Sequence, residues 1–201
     1  MKKKLTYFMN RNYFIIYIFL VFSPVLYAQE EDIETDRPSI TETTVTVPKG
    51  MLQTEAGFMH LQESEADNSL SIPTALWKFG LSKNMELRLT TEIVNEKSGN
   101  SSTTGLQPVT AGLKLRLCKE QGLLPEASVL AQVDLNKIAS KEFQEEYPSP
   151  EIKLLFKNKI TSKIDLGYNL GAAWSGESGA PIYQYTFCPN FKLNDRFKAF
   201  V

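Results

Sequence analysis

One histidine, two cysteines and no long apolar run after residue 22 set the first limits on this chain of 201 residues. A serine hydrolase needs an imidazole beside its nucleophile and a third group to orient it. His60 shares a face with Leu52, Ala56 and Phe58, and the nearest downstream serine is Ser64, in a polar stretch. It therefore reads as an outward-facing residue at the base of a loop. One histidine with Cys118 and Cys188 far apart in sequence offers no metal-ligand spacing, so neither a metal nor another cofactor is expected. No glycine loop of the phosphate-cradling kind is present. Ser175-Gly176-Glu177-Ser178-Gly179 reads as a connection between strands. The chain is not expected to be an enzyme, and the two cysteines are not expected to form a bridge.

A basic excess is also missing. Of the 22 Lys and Arg, four precede residue 29, leaving 18 against 23 Asp and Glu, a net charge of −5. A nucleic-acid partner would need a basic face and is not expected. Those four early bases, Lys2, Lys3, Lys4 and Arg11, precede the apolar run Tyr13–Phe22. Ser23 and Pro24 break that run, and Tyr27-Ala28-Gln29 suits cleavage after Ala28. Basic region, short apolar region and small-residue site together make a signal peptide over residues 1–28. No cysteine stands directly after the apolar run, which excludes a lipoprotein signal.

No segment carries a 3.6-residue period of ordinary helix length. What is present has period 2. In Met85–Val94, MELRLTTEIV, residues Met85, Leu87, Leu89, Thr91 and Ile93 share one face, and Glu86, Arg88, Thr90 and Glu92 the other. Similar alternation is read over 51–62, 71–81, 105–118, 123–135, 150–160, 163–174 and 181–191, and a ninth strand begins at Arg196. These runs exceed the ~5–6 residues usual in soluble sheets and approach the ~9–11 tilted residues that cross a bilayer. Long polar loops are expected after the first, third, fifth and seventh strands, including Glu63–Ser69 and Asn95–Thr104, and short turns after the others. That parity matches transmembrane barrels, with short periplasmic turns and longer outer loops. Trp77, Phe79, Trp174 and Tyr183 lie near strand ends on the apolar face, as an interfacial girdle requires.

The expected fold is therefore all-β, an antiparallel up-and-down transmembrane barrel over residues 50–201. About nine strands are visible, and because such barrels close on even numbers further strands are expected beyond Val201. Residues 29–49 read as a periplasmic lead-in, either tucked into or across the barrel mouth or a disordered tail. The face opposite the apolar residues would line the lumen. It carries Glu55, Lys78, Glu86, Arg88, Glu92, Lys114, Arg116, Glu126, Asp134, Lys153 and Asp165. Charges away from bulk water must be paired or wetted. The series is thus either a salt-bridged polar filling or a charged constriction that selects solutes. If anything is selected, Glu86, Arg88 and Glu92 opposite Lys114 and Arg116 are the first candidates.

Several runs carry a resemblance. They are Glu34-Thr35-Asp36-Arg37-Pro38, Val47-Pro48-Lys49-Gly50 and Gln53-Thr54-Glu55-Ala56-Gly57-Phe58. Further along come Lys78-Phe79-Gly80-Leu81, Ser82-Lys83-Asn84-Met85-Glu86-Leu87-Arg88, Gly105-Leu106, Gly112-Leu113-Lys114, and Leu170-Gly171 with Trp174. From about residue 33 onward the chain resembles the outer-membrane proteins of the meta-pathway of phenol degradation family. Members more often carry Arg where this chain has Lys78. The resemblance implies an outer-membrane channel or transporter for small, often aromatic or hydrophobic, molecules. The alternatives are a non-transporting barrel with structural, binding or adhesive loops, and a lipid-modifying outer-membrane enzyme. Outer-membrane lipid, a small solute and the barrel-assembly machinery are the partners expected.

Overall fold

The computed structural model describes residues 33–201 apart from 38, 63, 65, 66, 195 and 196. The signal peptide read over 1–28 lies outside the described residues, as do the first four residues of the lead-in.

The strands are β1 (Leu52–Gln62), β2 (Asp67–Ser82), β3 (Met85–Ser98), β4 (Ser101–Leu106), β5 (Val109–Cys118), β6 (Glu126–Leu135), β7 (Ser149–Lys159), β8 (Ile164–Trp174), β9 (Pro181–Lys192) and β10 (Lys198–Phe200). Every pairing between them is antiparallel and joins sequence neighbours, except that β5 as well as β4 is laid against β3. The result is one up-and-down sheet curled into a half-barrel. β4 and β5 form one line interrupted at Gln107-Pro108, where proline has no N–H to give the ladder.

Two expected loops are shorter than composition suggests. Asn95–Thr104 is not a loop but the far end of a hairpin. Asn95 pairs with Thr104 and Ser98 with Ser101, and Gly99 turns the chain at φ 58°. A left-handed φ of that kind suits glycine, which has no Cβ to clash. Similarly β2 begins at Asp67, inside the stretch read as loop. The segment between β6 and β7 is a long connection, with short 3-10 turns at Asn136–Ile138 and Lys141–Phe143. Strict alternation of loop length therefore gives way to strands that run on past their apolar portions.

The period-2 pattern sorts the two faces as expected. Leu87, Leu89, Ile93, Ile152, Leu154, Leu170, Tyr183 and Tyr185 are exposed on the outer side. Glu55, Lys78, Glu86, Arg88 and Lys114 are buried on the inner side. In water this is inverted: a contiguous apolar surface of this extent marks contact with a membrane or a partner. His60 is also outside and exposed. Cys118 and Cys188 are both free thiols, the first exposed and the second buried.

Candidate functional site

The inner face is occupied by the chain's own residues 34–49. This segment has almost no regular structure; its one ladder contact is an isolated bridge from Lys49 to Gly80. Side chains of the wall therefore satisfy its backbone groups, since an unpaired buried amide or carbonyl is costly. Glu55 accepts the N–H groups of Asp36 and Arg37. Asn169 accepts from the Glu42 N–H at 2.7 Å and donates to the Glu42 carbonyl at 3.1 Å. Ser128 donates to the Thr44 carbonyl at 2.6 Å, and Glu86 accepts the Val47 N–H at 2.7 Å. Gly80 admits the segment where it leaves the wall. A Cβ there would lie 2.1 Å from the Pro48 carbonyl oxygen and 2.4 Å from that of Val47.

Asp36 is the centre of the arrangement. It is 2% exposed, and its carboxylate meets three cations from three strands. Lys78 of β2 and Arg88 of β3 each reach Oδ2 at 3.0 Å, and Lys114 of β5 stands 3.5 Å from both oxygens. The Thr43 N–H and hydroxyl both donate to Oδ1 at 2.8 Å. Burial alone would raise the pKa of this carboxyl. Lys114, Arg88 and Lys78, helped by the Thr43 N–H, overturn that and hold it well below the usual carboxylate range.

The same cations are shared with neighbouring acids. Lys78 pairs with Glu55 at 2.5 Å, and Arg88 with Glu42 at 2.7 Å. Burial pushes the Glu42 carboxyl up despite Arg88, and the nearby Asp36 charge adds to that rise. Lys114 is completely buried and also donates to the Thr43 carbonyl at 2.9 Å. Toward the turn end, Arg116 stands 3.7 Å from Glu126, which accepts the Thr44 hydroxyl at 2.9 Å. Lys157 pairs with Glu34 at 2.8 Å. Within a network of this density each charge retains a partner, which is what makes burial tolerable. Among the described residues three buried polar atoms of the cluster lack a hydrogen-bond partner, Arg88 Nε, Arg116 Nε and Glu86 Oε1.

Of the residues picked out from sequence, Glu55, Lys78, Glu86, Arg88, Lys114, Arg116 and Glu126 all surround segment 34–49. The others stand apart. Asp134 accepts from Thr110 at 2.6 Å, and Asp165 from Asn190 at 2.9 Å. Glu92 is half-buried opposite Thr74. Lys153 joins a second polar group with Glu151, at 3.0 Å, which also accepts from Gln132 and Gln184.

The residues that sequence reasoning missed are the segment's own acids, Asp36, Glu42 and Glu34, and the neutral wall groups Ser128 and Asn169. A signal existed for Asp36: it sits in the Glu34–Pro38 run that carried the family resemblance. Among the described residues no three His, Cys, Asp or Glu are grouped to hold a metal ion.

Comparison with curated proteins finds no match. Comparison with solved structures also finds none. The family described as "Putative MetA-pathway of phenol degradation" matches residues 35–201, which takes in Asp36, the three cations around it and every described strand. The chain belongs to that family.

Proposed function

We propose that this chain forms the wall of an outer-membrane β-barrel that passes small, aromatic or hydrophobic molecules, with segment 34–49 seated inside it. One observation carries the reading: the sheet is apolar outside and charged inside, and the charged side is filled by an irregular segment held through side chains. A sheet can cross hydrocarbon only if its backbone is paired and its outward residues are apolar. The signal peptide supports export, and the phenol-degradation description of the family supports an aromatic solute. In this reading the protein catalyses nothing. Its partners are the outer-membrane lipid, the assembly machinery and the solute.

The test is solute entry into liposomes carrying the reconstituted protein. Uptake of small aromatic solutes above that of empty liposomes is expected, with a further rise when residues 34–48 are deleted. Liposomes that stay sealed to all solutes in both forms would refute transport. The dense pairing of inner charges favours one other reading, a closed barrel whose role lies in its outer connections. In that case deletion within 136–148 abolishes the protein's cellular role, while substitution of Lys78 or Arg88 leaves it intact.

A further inference from the structure

The cation cluster has more binding capacity than the wall itself uses. Without segment 34–49, Lys78, Arg88 and Lys114 would face, among the described residues, two close wall acids, Glu55 and Glu86. That leaves an excess of one positive charge, so the vacated space matches one monoanion. The guanidinium of Arg88 spends Nη1 on Asp36 and Nη2 on Glu42, while Nε finds no acceptor among the described residues. Arginine presents its N–H groups as a fork suited to carboxylates.

The wall next to this cluster is apolar. Leu130 lies directly across from Lys114, and Leu155 lies across from Ser128. Both point inward and both are completely buried. Ser128 and Asn169, which flank Leu155 on either side in the sheet, hold the segment at Thr44 and Glu42. Residues 42–44 therefore pass over Leu155. Leu130 interrupts an otherwise polar alternation, for which the sheet itself gives no reason.

We propose that Lys78, Arg88 and Lys114, with Leu130 and Leu155 beside them, form a binding site for a small monocarboxylate bearing an apolar body, and that Asp36 is its built-in competitor. The segment's carboxylate occupies the head-group position and residues 42–44 cover the apolar part. A solute carboxylate takes the place of Asp36 as the segment lifts. This proposal rests on the transport reading and names the solute class. A neutral aromatic alcohol cannot replace the charge, so it does not displace the segment.

The experiment is equilibrium dialysis of benzoate and benzyl alcohol against the detergent-purified full-length protein, wild type and Asp36→Ala. Removing an intramolecular competitor raises apparent affinity by the inverse of the fraction of time that the site was open. Benzoate should bind Asp36→Ala about tenfold or more tightly than wild type. Benzyl alcohol should bind both alike, and Arg88→Met or Lys114→Met added to Asp36→Ala should abolish the gain. Retention of the folded barrel is checked by its heat-dependent mobility on gels. If Asp36→Ala does not fold, Asp36→Asn, which keeps the shape, takes its place. Equal benzoate affinity in variant and wild type, or an equal gain for benzyl alcohol, overturns the proposal. Flux of neutral solutes with no benzoate gain sinks this site alone. A benzoate gain in a barrel that passes nothing sinks the transport reading alone.

Discussion

Replacing Gly80 by alanine puts a methyl group into the backbone of the inner segment. Its Cβ would stand 2.1 Å from the Pro48 carbonyl oxygen, and ordinary contact begins near 3.4 Å. The obstacle is backbone and cannot swing aside, so the segment must withdraw by roughly 1.3 Å at this point. Adding that displacement to the 2.7 Å bond from the Val47 N–H to Glu86 takes it beyond hydrogen-bonding range. Glu86 is completely buried, and a hydrogen bond to a charged group is worth about 1.5–3 kcal/mol. At about 1.4 kcal/mol per tenfold, docking should weaken by roughly one to two orders of magnitude. Amide hydrogen exchange over residues 34–49 reads this directly, as faster exchange in Gly80→Ala with the sheet amides unchanged. Gly167→Ala is the control. Its Cβ would meet the Thr41 methyl at 3.4 Å, an ordinary contact, and exchange should match the wild type. Wild-type protection in Gly80→Ala would refute the placement of the segment against β2.

Lys114→Met strands the Thr43 carbonyl and removes one of the three cations from Asp36. Breaking a buried pair costs about 3–5 kcal/mol, so the unfolding midpoint in detergent should fall. In combination with Asp36→Ala the losses should be less than additive, the two groups sharing one network. Acidification separates two groups of the segment. Glu42, whose carboxyl is raised, favours docking when protonated, so its contribution is full below its ordinary value near 4.3 and is lost as pH rises through the raised one. Asp36, whose carboxyl is lowered, contributes fully above about 3.9 and loses that contribution as pH falls through the lowered value. Protection of residues 34–49, corrected for intrinsic exchange, should therefore rise on mild acidification and fall again in strong acid. A monotonic profile would contradict the assignment. Leu89→Arg probes the outer face. Near the middle of a lipid-facing strand an arginine costs about 2–4 kcal/mol, whereas on a water-facing sheet surface the change stays within about 0.5 kcal/mol. Refolding into vesicles should show the larger loss.

The sheet was legible in sequence because its strands are amphipathic for a physical reason. Every second residue of Met85–Val94 must suit one environment and its neighbours the other. The pattern fades where that demand ends. Asn95–Ser98 and Ser101–Thr104 pair as strands yet are polar on both faces, so their composition imitates a loop. The break at Gln107-Pro108 was likewise hidden inside one alternating run. Alternation identified Lys78, Arg88 and Lys114 as inward residues but could not say what they meet. Their shared partner lies 42, 52 and 78 residues away, in a segment with no periodicity of its own. Ser128 and Asn169 escaped notice because a neutral side chain that bonds to backbone leaves no charge pattern to match.

The spans of those three ion pairs also bear on how the protein is assembled. A meander of hairpins has low contact order: each strand finds its neighbour a short loop away, and the entropy of closing each loop is small and local. Asp36 is the exception. One short stretch near the start of the chain is joined to β2, β3 and β5 directly, and through its neighbours to β6, β7 and β8. The segment therefore works as a cross-brace, tying into one cooperative unit a sheet whose hairpins would otherwise open singly. Its loss should show as fraying between neighbouring strands.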